Sequence, residues 1–126
     1  MIQETTENKF TLVIGASLKG HRYSNQAINL LRNYDIQTAG IGLRSGMVSD
    51  VELSTEKEMY KYVHTVTLYL NAKNQAPYQD YILSLKPKRV IFNPGAENRA
   101  FAKVLEENGI QTLEACTLVM LRTNQF

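Results

Sequence analysis

Apolar residues gather in short, nearly continuous runs, and between these runs they recur every third or fourth position. Residues 10–15 close on Val13, Ile14 and Gly15, and an apolar run without alternation is what a strand buried on both faces requires. Helical spacing follows at Ala27, Leu30, Leu31 and Tyr34, after which residues 36–42 predict a second strand. Residues 65–70, rich in β-branched and aromatic side chains, predict a third. Tyr78, Tyr81, Ile82 and Leu85 repeat at helical spacing until Pro87. Residues 89–92 predict the fourth strand. A helix over 97–108, with Phe101, Val104 and Leu105 on its apolar side and Gly109 at its end, leads to a fifth strand at 110–113 and a last helical turn at 117–121. Between the second and third strands, Thr55 and Glu58 have capping-box spacing and predict a short helix through Tyr62.

Strands alternating with helices in this way predict an α/β fold, a Rossmann-like doubly wound sheet of about five parallel strands with helices on both faces. Sheets of this kind bind ligands beyond the carboxyl ends of their strands, where the strand order reverses. The polar segments 15–25, 43–46, 71–75 and 93–98 each follow a strand, so they are expected to converge on one crevice. A chain of 126 residues supports one domain with a core, taken as residues 1–126, with residues 1–8 a loosely ordered polar lead.

Charge and cysteine content narrow the class. A formal net charge of +2, with no block of like charges, argues against a nucleic-acid partner. The polar start is unlike a signal peptide, and no apolar stretch approaches the ~20 residues of a membrane span, so no membrane association is expected. The single cysteine, Cys116, excludes an internal disulfide, and the chain reads as cytoplasmic.

The chemistry concentrates in the run from Val13 to Ala27. A strand breaks at Gly15, passes Ala16, Ser17, Lys19 and Arg22, and enters a helix led by Ser24 and Asn25. The first-turn amides of such a helix have no intrahelical partners and lie at the positive end of its dipole, which suits a phosphate. The run is neither of the two familiar glycine motifs. It lacks the G-x-G-x-x-G spacing, and His21-Arg22 stands after Gly20 where a P-loop needs Lys and Ser or Thr, which removes a P-loop hydrolase from consideration. An ordinary strand-to-helix turn with a solvated lysine and arginine is the alternative. At the end of the second strand, where an NAD site offers an acidic side chain to the ribose, the chain offers Arg44. A cation there suits a ribose that carries a phosphate, as in coenzyme A or NADP, unless Arg44 is only a solvated loop residue.

Taken together, Gly15-Ala16-Ser17, Tyr23-Ser24-Asn25-Gln26-Ala27, the glycine-flanked turn at Arg44 and Asn93-Pro94-Gly95-Ala96-Glu97-Asn98 resemble the small stand-alone CoA-binding proteins. Those proteins are similar to the CoA-binding domain of the succinyl-CoA synthetase alpha subunit. The resemblance runs from Phe10 to Arg122 and implies a Rossmann-like domain whose first loop holds a pyrophosphate. Ser17, Lys19 and Ser24 match that loop, and Arg44 falls where the synthetase has a lysine in its glycine-rich second turn. Leu70 and Asn71 fall where the family passes the adenine or pantetheine arm, though the synthetase's proline-rich segment is absent here. The loop from Asn93 through Pro94 and Gly95 to Glu97 falls near the thiol end.

The resemblance implies a binder of CoA or acyl-CoA. The synthetase's phosphorylated histidine belongs to a separate, later domain that has no counterpart in this sequence. No Ser-His-Asp order, paired-carboxylate motif or metal-ligand cluster is recognisable, so neither catalysis nor a metal site is expected. His21 is read as a solvated loop residue and His64 as structural. Cys116 is either a thiol activated by a helix start or a small packing residue. Glu97, opening a helix, is either a base near the thiol or a partner for the dipole. Tyr78 and Tyr81 are read as a core-facing stripe. Two other readings stand beside the CoA module: a small NADP-linked oxidoreductase, and a protein-interaction domain with a vestigial nucleotide crevice. The NADP enzyme would need a nicotinamide pocket and a substrate segment for which few residues remain.

Overall fold

A computed structural model describes residues 9–126; the polar lead expected over 1–8 lies outside the described residues. The chain forms β1 (Thr11–Ala16), α1 (Tyr23–Asn33), β2 (Thr38–Gly42), β3 (Gly46–Val48), β4 (Val51–Ser54), β5 (Thr65–Leu68), α2 (Ala72–Gln75), α3 (Gln79–Leu85), β6 (Arg89–Phe92), α4 (Arg99–Glu107), β7 (Gln111–Glu114) and α5 (Thr117–Arg122). The sheet has the order β3-β4-β2-β1-β5-β6-β7. All pairings are parallel except β3 with β4.

Period-two geometry explains why the apolar runs are continuous. Along β1, Leu12 and Ile14 enter one core with Val66, Leu68, Val90 and Phe92, where Ile82, Phe101 and Leu105 of α3 and α4 cover them. Val13, between them, enters the opposite core with Ile28, Leu31 and Leu121 of α1 and α5. Burying each such side chain contributes roughly 1.5–3 kcal/mol, and a one-residue slip would exchange the two sets, so the register is firmly specified.

Two expectations are corrected. The sheet has seven strands rather than about five, because residues 46–54 form an antiparallel hairpin. Val48 faces Val51 across the two-residue turn Ser49-Asp50, and Val48, Val51 and Leu53 all point into the α1 and α5 core. The helix expected from Thr55 to Tyr62 does not form. Ser54 takes the capping part instead: its hydroxyl accepts the Glu56 amide at 2.9 Å and donates to the Glu58 carboxylate at 2.9 Å. The backbone is then held in tight turns by Glu58 N–H to Glu56 and Tyr60 N–H to Glu58. The Tyr81 hydroxyl donates to the Glu58 carbonyl, and Tyr60 packs edge-on against Phe10, so tertiary contacts outweigh the local helical signal.

Smaller differences lie near the ligand edge. The segment after β5 is the short helix α2 rather than an open loop, capped by the Asn71 side chain on the Asn74 amide at 2.9 Å. Helix α4 begins at Arg99 with Asn98 as its cap, so Glu97 precedes the helix. Among the described residues no helix is long and apolar enough to cross a membrane, and no group of three or more His, Cys, Asp or Glu residues is placed to hold a metal.

Candidate functional site

The strand order reverses between β1 and β5: successive strands run outward from β1 through β2 and β4 on one side, and from β5 through β6 to β7 on the other. A crevice of about 590 Å³ opens there, at the carboxyl ends of β1, β2, β5 and β6. Of the sequence candidates, Gly15, Ala16, Ser17, Lys19, Arg22, Ser24, Arg44, Leu70, Pro94 and Gly95 line it. Four are not among the lining residues: Asn25 and Asn93, which are buried, and Asn71 and Glu97, which are exposed.

The first wall is the β1–α1 loop. Gly15 has φ of +91°, a conformation that strains any residue with a Cβ, and the β1–β2 register shifts at this point. A Cβ there would lie 3.0 Å from the Tyr69 backbone carbon. Gly15 is therefore required by the neighbouring strand end as well as by the turn. Beyond it, the Lys19 amide donates to the Ser17 hydroxyl at 3.1 Å. Asn25, buried beneath the loop, donates from Nδ2 to the Ser17 carbonyl at 2.9 Å and accepts from Asn29. Asn25 thus shapes the loop from below.

Helix α1 has Arg22 as its N-cap, without a side-chain hydrogen bond, and no acidic residue in its first turn. The crevice contains the start of this uncapped helix at Tyr23 and Ser24. Lys19, Arg22 and Arg44 supply positive charge, and no acidic side chain is among the lining residues. Among the described residues none of these cations is in an ion pair, the one such pair being Arg32 with Asp50 on the surface. An anion at a helix start gains about 0.3–1 kcal/mol from the dipole, whereas a hydrogen bond to a charged group is worth about 1.5–3 kcal/mol. The three side chains therefore outweigh the dipole as determinants of anion affinity.

The second wall follows β2. A Cβ on Gly42 would fall 2.2 Å from the Ala16 carbonyl oxygen, so a glycine lets the β1 and β2 ends come together. Leu43, almost fully exposed, and Leu18 add apolar surface beside Arg44. The opposite wall, after β5 and β6, is Tyr69, Leu70, Tyr78, Pro94, Gly95 and Ala96. The Tyr69 hydroxyl is buried beside the Thr67 and Thr117 side chains, and burial pushes its pKa up to about 12. It remains a neutral phenol at ordinary pH. The tyrosine stripe divides: Tyr81 is buried in the core, while Tyr78 reaches the crevice with the Lys57 ammonium 5.4 Å from its ring centre.

Asn93 belongs to the interior. Its Nδ2 donates to the Thr67 hydroxyl at 2.7 Å and the Leu68 carbonyl at 2.9 Å, and its Oδ1 accepts the Thr117 amide at 2.9 Å. The Thr67 and Thr117 hydroxyls meet at 2.8 Å and complete the ring. Glu97 accepts the Gly95 amide at 2.9 Å and so braces the β6 loop. Cys116 is a half-buried free thiol at the N-cap of α5, and His64 hydrogen-bonds through Nδ1 with the Thr65 hydroxyl at 2.8 Å. Leu18, Tyr23, Leu43 and Ala96 also line the crevice, inside the segments expected to converge on it; Ile41, Gly42 and Tyr69 lie outside those segments, and Tyr78 lines it although its spacing points to the core. The signal for most of them was adjacency to residues already singled out.

A Rossmann-like sheet with a cationic, acid-free crevice at its switch point defines a nucleotide-binding class of protein. Within that class, the chain belongs to the CoA-binding domain family, whose model matches residues 9–122. The crystal structure of an uncharacterized protein is similar at 42% identity, with a TM-score of 0.92 over 95% of this chain and 99% of that one. A hypothetical protein from Pyrococcus horikoshii OT3 shares the fold at 19% identity and a TM-score of 0.83, over 94% of this chain and 84% of that one. The dinucleotide-forming acetyl-coenzyme A synthetase 1 of Ca. Korarchaeum cryptofilum, solved with phosphate and ADP, shares it at 14% identity and a TM-score of 0.71; the likeness covers 89% of this chain and 27% of that one. No curated protein matches the chain.

Proposed function

We propose that the protein binds coenzyme A or an acyl-CoA in this crevice and does not itself transform it. The observation that carries the reading is the lateral order of the lining residues. Arg44 stands at the β2 end, the Ser17–Lys19–Arg22 loop in the middle over β1, and a largely apolar wall of Leu70, Tyr78, Pro94 and Ala96 at the β5 and β6 end. Parallel strands lie about 4.8 Å apart, so the distance from β2 to β6 is about 14 Å. A ligand with a ribose phosphate at one end, a pyrophosphate in the middle and an uncharged arm at the other has the same sequence of groups.

In this reading Arg44 meets the 3′-phosphate, and the β1 loop with the first turn of α1 holds the pyrophosphate. The arm runs over Leu70 toward Gly95. The chemistry of the arm end supports binding without turnover. Tyr69 is held neutral by burial, and Glu97 is engaged by a backbone amide. No nucleophile–base pair stands on that wall. Incubating the protein with acetyl-CoA and longer thioesters and following free thiol tests this directly. Intact thioester at the background rate, together with saturable binding, is expected; thioester cleavage lost on substituting Glu97 or Cys116 would overturn it.

A further inference from the structure

Gln75 is fully buried and does not line the crevice, yet both of its amide hydrogens are committed to the crevice walls. Nε2 donates to the Leu70 carbonyl at 2.8 Å and to the Ala96 carbonyl at 2.6 Å. Both partners are acceptors, so only the NH₂ end of the amide can face them. Oε1 accepts from Asn98 Nδ2 at 2.9 Å, while Asn98 Oδ1 caps α4 on the Phe101 amide at 3.1 Å. One side chain on α2 therefore joins the strand end after β5, the loop after β6 and the start of α4.

Leu70 and Ala96 are the two lining residues that this amide spans. We propose that Gln75 is a positioning residue that sets the separation of the two walls and thereby the affinity for the arm of the ligand, not for its nucleotide head. The proposal rests on the CoA reading. Resting on helix α2 behind the wall, Gln75 acts only through the carbonyls it holds. Among the described residues neither carbonyl accepts from another side chain, so removing the donor leaves two acceptors facing each other across the gap.

The test compares two ligands on three proteins. Adenosine 3′,5′-bisphosphate carries the ribose phosphate and one 5′-phosphate without the arm, and CoA carries all three parts. Gln75→Glu keeps the shape and turns the donor into an acceptor. Asn98→Asp keeps the α4 cap but sets a carboxylate oxygen in place of the donor to Gln75, an acceptor facing Oε1, so it disturbs the arrangement while leaving the donor that spans the two carbonyls in the chain. In calorimetric titration, Gln75→Glu is expected to weaken CoA roughly tenfold and Asn98→Asp roughly threefold, with the bisphosphate changed by less than about twofold in either. Equal losses for both ligands, or no loss for CoA in a folded Gln75→Glu protein, would overturn the positioning role while leaving the CoA reading intact. Should Gln75→Glu not fold, Asn98→Asp decides by the same comparison. Wild-type protein that binds neither ligand overturns the CoA reading and this inference with it.

Discussion

At the scale of single residues, the site separates side chains that face the crevice from those that build it. Arg44 belongs to the first kind: it is exposed, lies in the turn after β2 and is outside any ion pair among the described residues. If it meets a ribose 3′-phosphate, the charge-assisted bond is worth about 1.5–3 kcal/mol, or about tenfold or more in affinity. Dephospho-CoA is therefore expected to bind the wild type at least about tenfold more weakly than CoA, and Arg44→Gln to bind the two about equally. Titration of both ligands on both proteins checks this, and equal wild-type affinities would show Arg44 to be a solvated loop residue. The cations and Gly15 were legible in the sequence because loop chemistry needs only residue type and a strand ahead of it. Gln75 and Tyr69 were not, because a glutamine in a polar segment and a tyrosine at a strand end carry no mark of what they will touch.

At the scale of elements, the buried ring of Asn93, Thr67 and Thr117 ties β5, β6 and α5 together beneath the crevice. Replacing Asn93 by Ala strands the buried Thr117 amide, at about 1–3 kcal/mol, and takes one of two partners from the Thr67 hydroxyl, which still meets Thr117. Asn93→Ala is expected to lower stability by about 2–4 kcal/mol in urea unfolding, with CoA affinity of the folded protein within about twofold of wild type. A large affinity loss at unchanged stability would make Asn93 a ligand contact after all. Of the strands read from the sequence, β1, β5 and β6 were legible as short runs buried on both faces, whereas β2 and β7 are only partly buried and were legible from the helices and turns around them. The β3–β4 hairpin escaped because its turn, Ser49-Asp50, lacks the glycine that usually marks one, although Ser49 takes φ of +56° there. With the turn hidden, the inward set Val48, Val51 and Leu53 does not follow one period. The false helix over 55–62 came from the same segment: capping-box spacing is local, and Ser54, Tyr60 and Tyr81 together impose a different path.

At the scale of the whole molecule, the mostly parallel sheet brings four loops, distant in sequence, to one edge, and strand order sets them out as Arg44, the Ser17–Lys19–Arg22 loop and a largely apolar wall. The convergence of the loops was foreseeable from the alternation of elements alone; their lateral order follows from the strand order. The residues that set the width of the crevice were not foreseeable, since they depend on which carbonyls end up facing each other. The proposed function requires this edge to select coenzyme A among nucleotides that share its adenosine and phosphates. Native mass spectrometry of the protein with CoA, NADP and ATP present together at equal concentration tests it most directly. One dominant adduct at the mass of a single CoA per chain is expected, whereas a dominant NADP or ATP adduct, or unliganded protein at ligand concentrations up to about 1 mM, would overturn the CoA reading.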